Sequence, residues 1–182
     1  MMEELSYHIL DLVQNSIRAG AKKIEVFIKD SEKEDELIIS VKDNGSGMDE
    51  ETIRKVEDPF YTTKKEKKVG LGVPLLKETA LHCDGDFRIK SSPGKGTEVF
   101  AKFKKSHIDL PPLGNLKDTI LTIIISAESF DILFKIKTDK GEFILDTAEI
   151  KKEIGEDIPI CAPEVLSFLK EYLDSELLPI LR

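Results

Sequence analysis

Four polar residues near the start of the chain, His8, Asp11, Asn15 and Arg18, are spaced by three, four and three residues. In a helix this spacing places all four side chains on one side. The amide oxygen of Asn15 is a hard ligand that suits Mg²⁺, and Arg18 can bind phosphate oxygens as a charged fork. Asp11 can accept a proton from an attacking water or hydroxyl. A solvated helix face has the same pattern, so the stripe alone does not identify a site.

A five-residue segment, Asp43-Asn44-Gly45-Ser46-Gly47, directly follows a predicted strand. Its carboxylate can accept a hydrogen bond from an exocyclic amine, and its glycines let the backbone pass close to a flat ring. Adenine presents an amine at that edge. Guanine presents an oxygen, which would leave two acceptors unpaired at a cost of a few kcal/mol. An Asx turn between two elements explains the pentapeptide equally well.

Two further glycine segments follow. Gly70-Leu71-Gly72 opens a predicted helix, where free backbone amides and the positive helix end suit a polyphosphate. Pro93-Gly94-Lys95-Gly96-Thr97 precedes a predicted strand and by itself is typical of a hairpin turn. Each segment is a weak signal when it is considered alone.

Hydrophobic periodicity indicates the elements that position these segments. The first helix is predicted at 3–19, with Gly20 just past its end. Further helices are predicted at 50–56, at 72–81 and from Pro163 to Pro179, and strands at 24–28, 37–41, 87–89, 99–103, 120–125, 130–136 and 143–145. The polar, lysine-rich stretch 58–69 is predicted to be mobile. The Pro111-Pro112-Leu113-Gly114 segment is a break, and it divides the chain into 1–105 and 106–182.

The composition excludes several classes of partner. The net charge of −8 and the isoelectric point of about 5.1 argue against DNA or RNA, whose phosphates attract basic surfaces. The two cysteines have no metal-site spacing and fit a reducing compartment. The acidic start is unlike a signal peptide, and no apolar run is long enough to span a membrane. We therefore expect a cytoplasmic protein with neither a nucleic-acid nor a membrane partner.

The order of these motifs resembles the GHKL superfamily, which includes gyrase, heat-shock chaperone, histidine-kinase and mismatch-repair ATPases. The similarity covers residues 1–105. The corresponding boxes are the N box at 11–21, the first glycine box at 43–48, the phenylalanine box at 58–64, the second glycine box at 70–73 and the closing box at 92–97.

The resemblance implies an α+β fold, a two-layer α/β sandwich of the Bergerat type with a mixed, mostly antiparallel sheet and helices on one face. Residues 106–182 match no motif and are predicted to form a small α+β extension. This extension is either a docking or dimerisation element or a set of extra layers that cover the ATPase core. Deletion after Ser106 is expected to leave nucleotide binding measurable.

The resemblance also implies ATP and Mg²⁺ as cofactors, with Asn15 as the metal ligand. Asp43 would accept the adenine amine, and Thr97 would support it through water. Residues 48–69 would form a lid over the nucleotide. The other implied ATP-binding residues are Arg18, Gly45, Gly47, Met48, Thr63, Lys64, Gly70, Leu71, Gly72 and Gly96.

The boxes differ in the subfamily they resemble. Residues 59–97 resemble sensor histidine kinases, whereas the N box is similar to that of mismatch-repair proteins. Repair and gyrase types use a glutamate four residues before the Asn to activate water, and this chain has the shorter Asp11 there. The same types usually have an aspartate three residues after the Asn, and Arg18 at that position favours the kinases.

Only 14 residues precede Asn15, so we expect no helical hairpin with a phosphoacceptor histidine. His8 is too close to the predicted site to be that acceptor. The resulting hypothesis is a regulatory protein kinase that acts in trans on a protein partner. Two alternatives remain open: an ATPase with Asp11 as general base, and a nucleotide-gated protein-binding switch. The sequence leaves a homodimer open.

Overall fold

The computed structural model of the chain describes residues 4–60 and 71–182. The strands are β1 (Lys23–Ser31), β2 (Glu36–Asp43), β3 (Asp86–Ser91), β4 (Thr97–Lys104), β5 (Asp131–Thr138) and β6 (Gly141–Asp146). The helices are α1 (Leu5–Arg18), α2 (Glu50–Glu57), α3 (Gly72–His82), α4 (Leu116–Ile125), α5 (Thr147–Ile154), α6 (Pro163–Tyr172) and α7 (Leu178–Leu181), with a π-helical segment (Leu173–Leu177) before α7.

The described strands form one sheet in the order β3-β4-β2-β1-β5-β6. All neighbours are antiparallel except β1 and β5, which run parallel. Alternate residues of the strands, such as Val26, Ile39 and Phe134, are buried on one face, whereas Phe27 and Phe100 on the other face stay partly exposed. This period of two arises because successive side chains of a strand point to opposite faces. The structure confirms the predicted α+β class and its mixed, mostly antiparallel sheet.

Helix α1 packs an apolar face against the sheet, with Leu5, Ile9 and Val13 almost completely buried. Its first turn has no side-chain cap. Instead, the backbone amides of Leu5 and Ser6 each donate to a carbonyl of the segment before α4, at 2.9 Å. These bonds satisfy amides that a helix start leaves without an internal partner. The C-terminal part of the chain therefore fixes the start of the helix that carries the polar stripe.

The strand predicted at 120–125 is wrong, because this stretch belongs to α4. Asn115 caps the helix, since its Oδ1 accepts a hydrogen bond from Asp118 N at 3.1 Å. Helix α4 contacts both α1 and α6, which buries Ile120 and Ile124 together with their apolar neighbours. A helix covered on two sides loses its amphipathic pattern, so periodicity alone cannot distinguish it from a buried strand.

Helix α5 was not predicted, and the helix predicted from Pro163 to Pro179 is interrupted by the π-helical segment. The sequence signal for α5 was its N-cap residue, Asp146. In the structure, Asp146 Oδ1 accepts a hydrogen bond from Ala148 N at 2.9 Å. Among the described residues, no helix is long and apolar enough to cross a membrane.

The segment after residue 105 joins the same sheet as the segment before it. Strand β5 pairs with β1 over eight residues, from Lys23 opposite Asp131 to Asp30 opposite Thr138. A single apolar core contains residues of both segments, among them Ile28 and Ile136. The C-terminal segment thus extends the sheet by two strands.

Candidate functional site

A pocket of about 430 Å³ opens between α1, the C-terminal end of β2 and the start of α3. Residues of β2, β3, β4 and α2 give it an apolar wall that includes Val41, Ile89 and Val99. The structure brings together, around this pocket, the following residues that the sequence singled out: Asp11, Asn15, Arg18, Asp43, Gly47, Met48, Leu71, Gly72 and Thr97.

Asp43, the last residue of β2, has its carboxylate held in a defined orientation. Its Oδ1 accepts from Gly45 N at 2.8 Å, and its Oδ2 accepts from Ser16 Oγ at 2.6 Å. Ser16 lies on α1 with 3% of its surface exposed. Sequence reasoning missed Ser16. The available signal was a small polar residue directly after Asn15, on the border between the apolar and polar sides of the helix.

Thr97 stands next to Asp43, because the two residues are partners in the β2–β4 register. Ser91 Oγ lies 2.8 Å from Thr97 Oγ1, donates to Gly96 O at 2.9 Å and accepts from Met48 N at 2.8 Å. Because Ser91 donates to Gly96 O, Thr97 is the donor to Ser91, which leaves the lone pairs of Thr97 Oγ1 available to a water or ligand. Ser91 was also missed, since a serine at the end of a strand carries no distinctive pattern.

Two glycines allow the first and the closing glycine segments to pack directly on each other. Gly47 and Gly96 have φ values of +67° and +80°. A Cβ atom on Gly47 would lie 1.9 Å from Ser92 O, and one on Gly96 would lie 1.9 Å from Asp43 O. Both positions therefore exclude side chains by conformation and by space. Gly45 does not line the pocket, but its amide is one of the two donors to Asp43.

The other polar part of the pocket lies between α1 and the start of α3. Arg18 Nη1 donates to Asn15 Oδ1 at 3.0 Å. A Cβ atom on Gly72 would lie 3.0 Å from Asp11 Oδ2, so the start of α3 closely approaches Asp11. The N-cap residue of α3, Leu71, makes no side-chain cap. Helix starts of this kind attract anions, because their first amides point outward at the positive end of the helix dipole.

The residues around Asn15 could bind Mg²⁺ only if a polyphosphate supplied further oxygen ligands. Within residues 4–60 and 71–182 there is no group of three or more His, Cys, Asp or Glu that could hold a metal ion. Mg²⁺ is usually bound by one or two protein oxygens together with water and substrate phosphates. Asn15 Oδ1 supplies one such oxygen at the pocket surface.

Several predicted residues fall elsewhere. Thr63, Lys64, Gly70 and the part 61–69 of the predicted lid lie outside the described residues. The described part of the lid contains α2, whose Thr52 and Val56 line the pocket. Asp49 is the N-cap residue of α2, and a hydrogen bond from Thr52 to its carboxylate lowers the pKa of Asp49.

The histidines lie away from the pocket lining. His8 has only 4% of its surface exposed, so the polar stripe of α1 divides into one inward residue and three pocket residues. His82 Nε2 lies 3.1 Å from Asp109 Oδ2 at the far end of α3, and the His107 ring lies 5.7 Å from the His82 ring.

Comparison with known proteins gives the same assignment as the motif order. The family model described as histidine kinase-, DNA gyrase B-, and HSP90-like ATPase matches residues 3–107. Sporulation kinase C of Bacillus subtilis is 36% identical over 94 residues, which are 52% of this chain and 22% of that protein. Sensor protein kinase FleS of Pseudomonas aeruginosa is 37% identical over 89 residues, which are 49% and 22% of the two chains. The chain thus spans about a fifth of the length of these curated relatives.

A crystal structure of the N-terminal domain of a DNA repair protein superposes with a TM-score of 0.51. The superposition covers 78% of this chain and 51% of the repair-protein chain, at 18% sequence identity. At this identity the likeness concerns the fold alone.

Proposed function

The chain belongs to the family of histidine kinase-, DNA gyrase B- and HSP90-like ATPases, and from this premise we propose that its pocket binds Mg²⁺ and ATP and transfers the γ-phosphoryl group to a separate protein. It contains an ATP-binding domain typical of histidine kinases. The observation that carries the proposal is the Asp43 carboxylate, which two donors orient beside an apolar pocket wall. This arrangement suits the amine edge of adenine.

Asp43 has acceptor capacity left after the bonds from Ser16 and Gly45, because an ionised carboxylate offers about four lone-pair positions. An adenine amine fills one of these positions, and Thr97 Oγ1 can hold a bridging water at the adjacent strand. Guanine would place its oxygen against the carboxylate. The hydrogen bond to Asp43 would then be lost, and two acceptors would face each other unpaired. The pocket should therefore discriminate ATP from GTP by hydrogen bonding.

The phosphate chain would lie between Asn15, Arg18 and the first turn of α3. Mg²⁺, when bound, neutralises charge on the phosphate oxygens. Asn15 Oδ1 would hold the metal ion. Arg18, which donates to that oxygen in the structure, would then turn its guanidinium to a phosphate oxygen. The amides of Gly72 and Val73 at the start of α3 would hold the oxygens on the other side.

The proposal of transfer in trans rests on the positions of the histidines. His8 is buried and cannot receive an external phosphoryl group. His82 ends α3, an 11-residue helix that starts at the pocket, so it lies roughly 15 Å from Gly72. His107 lies beside His82. These distances disfavour the histidines of residues 1–182 as phosphoacceptors, and we propose that the acceptor belongs to a separate protein.

Hydrolysis of ATP with Asp11 as general base is a second candidate. The close approach of Asp11 Oδ2 to Gly72 favours it, because this places a carboxylate where the terminal phosphate would lie. Asp11 can then accept the proton of a water that attacks the γ-phosphorus as ADP leaves.

Calorimetry with Mg²⁺ and ADP tests the binding site. We expect Asp43→Asn to weaken ADP binding by on the order of 100-fold, because an amide at this position loses the charge-assisted bond and presents a donor to the amine. Asp86→Asn, the same chemical change at an exposed residue outside the pocket, is the matched control. Equal ADP affinity of the two variants would refute the adenine assignment.

Incubation with γ-labelled ATP and candidate acceptor proteins separates the reactions. Label on an acceptor supports the kinase, and its stability to acid or base distinguishes a phosphohydroxyl from a phosphohistidine. Free phosphate that disappears in Asp11→Asn supports the ATPase. If the chain binds ATP and neither product forms, the nucleotide-gated switch replaces both proposals.

A further inference from the structure

A second depression, which we call the C-terminal groove, lies between β6, α5 and α6 and has a volume of about 520 Å³. None of its described lining residues also lines the proposed nucleotide pocket. Leu145 and Leu169 are buried beneath it, whereas Ile144 and Phe168 have 50% and 64% of their surfaces exposed. The groove thus combines an apolar floor that belongs to the core with large apolar side chains that remain in contact with solvent.

Phe168 is held in place despite its exposure. Its ring stacks on Tyr172, with the ring centroids 6.2 Å apart and the planes 13° apart. The Tyr172 ring in turn contacts Phe143, whose side chain is buried. An exposed aromatic side chain that is fixed before binding loses little entropy in a complex, and such residues dominate the energetics of protein interfaces.

The charges around the groove have one sign. Among residues 4–60 and 71–182, every charged residue that lines it is acidic: Asp146, Glu149, Glu153 and Glu164. The lysines of α5 and α6 do not line it, and Lys151 is paired with Asp131 on β5. In the described part of the chain, no ion pair involves the three glutamates. The groove therefore presents an uncompensated negative rim around apolar side chains.

We infer that the C-terminal groove binds a segment of another protein that carries apolar side chains flanked by lysine or arginine. The apolar side chains fit against Phe168 and the leucine floor, and the cations complement the glutamates. A second copy of this chain fits less well, because its net charge is −8 and its own groove would bring a second acidic rim. This inference does not depend on the nucleotide function of the other pocket.

The test uses the whole chain, without nucleotide, and two fluorescein-labelled peptides of 18 residues. One peptide has leucine at i, i+3, i+4 and i+7 with lysine elsewhere, and the other has glutamate in place of lysine. Fluorescence anisotropy measures the Kd of each. We expect the lysine peptide to bind and the glutamate peptide to bind at least about tenfold more weakly, since only the first complements the rim.

Variants locate the binding. Glu149→Lys with Glu153→Lys should raise the Kd of the lysine peptide by about tenfold or more at low salt. The matched control, Glu156→Lys with Glu171→Lys, makes the same change in net charge at exposed residues outside the groove and should change Kd by less than about threefold. Phe168→Ala should raise Kd by about tenfold, because it removes the aromatic anchor.

Three results would overturn the inference. The first is no binding of the lysine peptide at about 0.5 mM protein, which corresponds to a negligible affinity. The second is an equal effect of the two charge-reversal pairs, which would mean attraction to the whole acidic chain. The third is a concentration-dependent dimer in sedimentation that Phe168→Ala abolishes, which would mean that a second copy covers the groove.

Discussion

The region around the proposed nucleotide pocket and the region of β5, β6 and α4–α6 share one sheet, but they are stabilised in different ways. The first depends on close backbone approaches and on short side-chain hydrogen bonds, such as Ser16 to Asp43 at 2.6 Å. The second depends mainly on aliphatic packing, with Ile124 and Ile136 completely buried. Two glycines of the first region cannot be replaced without a backbone clash, whereas aliphatic residues of the second can exchange at similar volume.

This difference is consistent with a family model that matches residues 3–107, which include the pocket. A site that binds a fixed chemical group requires particular residues at particular positions. A packed layer requires only apolar volume of about the right size, so many sequences satisfy it. The second region is nevertheless connected to the first, because its carbonyls at Pro112 and Leu113 cap the start of α1.

Removal of residues after Ser106 is expected to have the largest effect. It would expose the β1 edge over the eight residues that pair with β5 and would uncap α1. From the sequence we expected nucleotide binding to survive this deletion, and the packing now leads to the opposite expectation: an aggregated or unfolded fragment. Size-exclusion chromatography and calorimetry with ADP check this. A monomeric fragment with full ADP affinity would show that the pocket region folds without the second region.

Ile136→Ala should separate stability from binding. The side chain is completely buried in β5, opposite Ile28 and Phe143, and its truncation should lower the free energy of unfolding by about 3 kcal/mol. ADP affinity measured on the folded variant should stay within about twofold of the wild type, because Ile136 does not line the pocket. Ile144→Ala, at a half-exposed position, is the control and should cost less than about 1 kcal/mol in urea unfolding.

Ser16→Ala should instead weaken ADP binding and leave the stability nearly unchanged. It removes one of the two donors to Asp43, so the ADP Kd should rise by about tenfold. The free energy of unfolding should change by only about 1 kcal/mol, because the backbone of α1 is unaffected. Ser175→Ala, at an exposed serine remote from the pocket lining, should leave both quantities unchanged. A large loss of stability without a loss of affinity would show that Ser16 does not orient the carboxylate.

Glu36→Gln tests an ion-pair cluster between β1, β2 and β4 in the first region. Hydrogen bonds from Lys102 and Lys29, at 2.7 and 2.6 Å, lower the pKa of Glu36 to about 2. A carboxyl group with a lowered folded-state pKa stabilises the protein above its unfolded pKa of about 4.5, and this contribution is lost as the pH falls towards 2. The variant should therefore be less stable than the wild type at pH 7, by on the order of 2 kcal/mol, and equally stable near pH 2.

Urea unfolding between pH 2 and pH 7 measures this difference. Glu171→Gln, at an exposed residue of α6, is the matched control and should run parallel to the wild type. If the difference between Glu36→Gln and wild type is constant with pH, the ionisation of Glu36 does not contribute.

The residues that come together at the proposed nucleotide pocket were largely predictable from the sequence, but the hydrogen bonds between them were not. The spacing of Asp11, Asn15 and Arg18 placed them on one side of α1, and all three line the pocket. The roles of Ser16 and Ser91 were not predictable, because their partners are remote in sequence or belong to another strand. Helix α4 was assigned to the wrong class because its apolar residues face two neighbours.

The sequence by itself determined the family, the class of the fold and the residue types around the nucleotide pocket, because these depend on local spacing and on glycines that no other residue can replace. Only the tertiary structure decided that residues 106–182 extend the same sheet, that a serine orients Asp43, and that the acidic residues of α5 and α6 surround one apolar groove. These features arise from contacts between residues far apart in the chain, whose pairing no local pattern specifies.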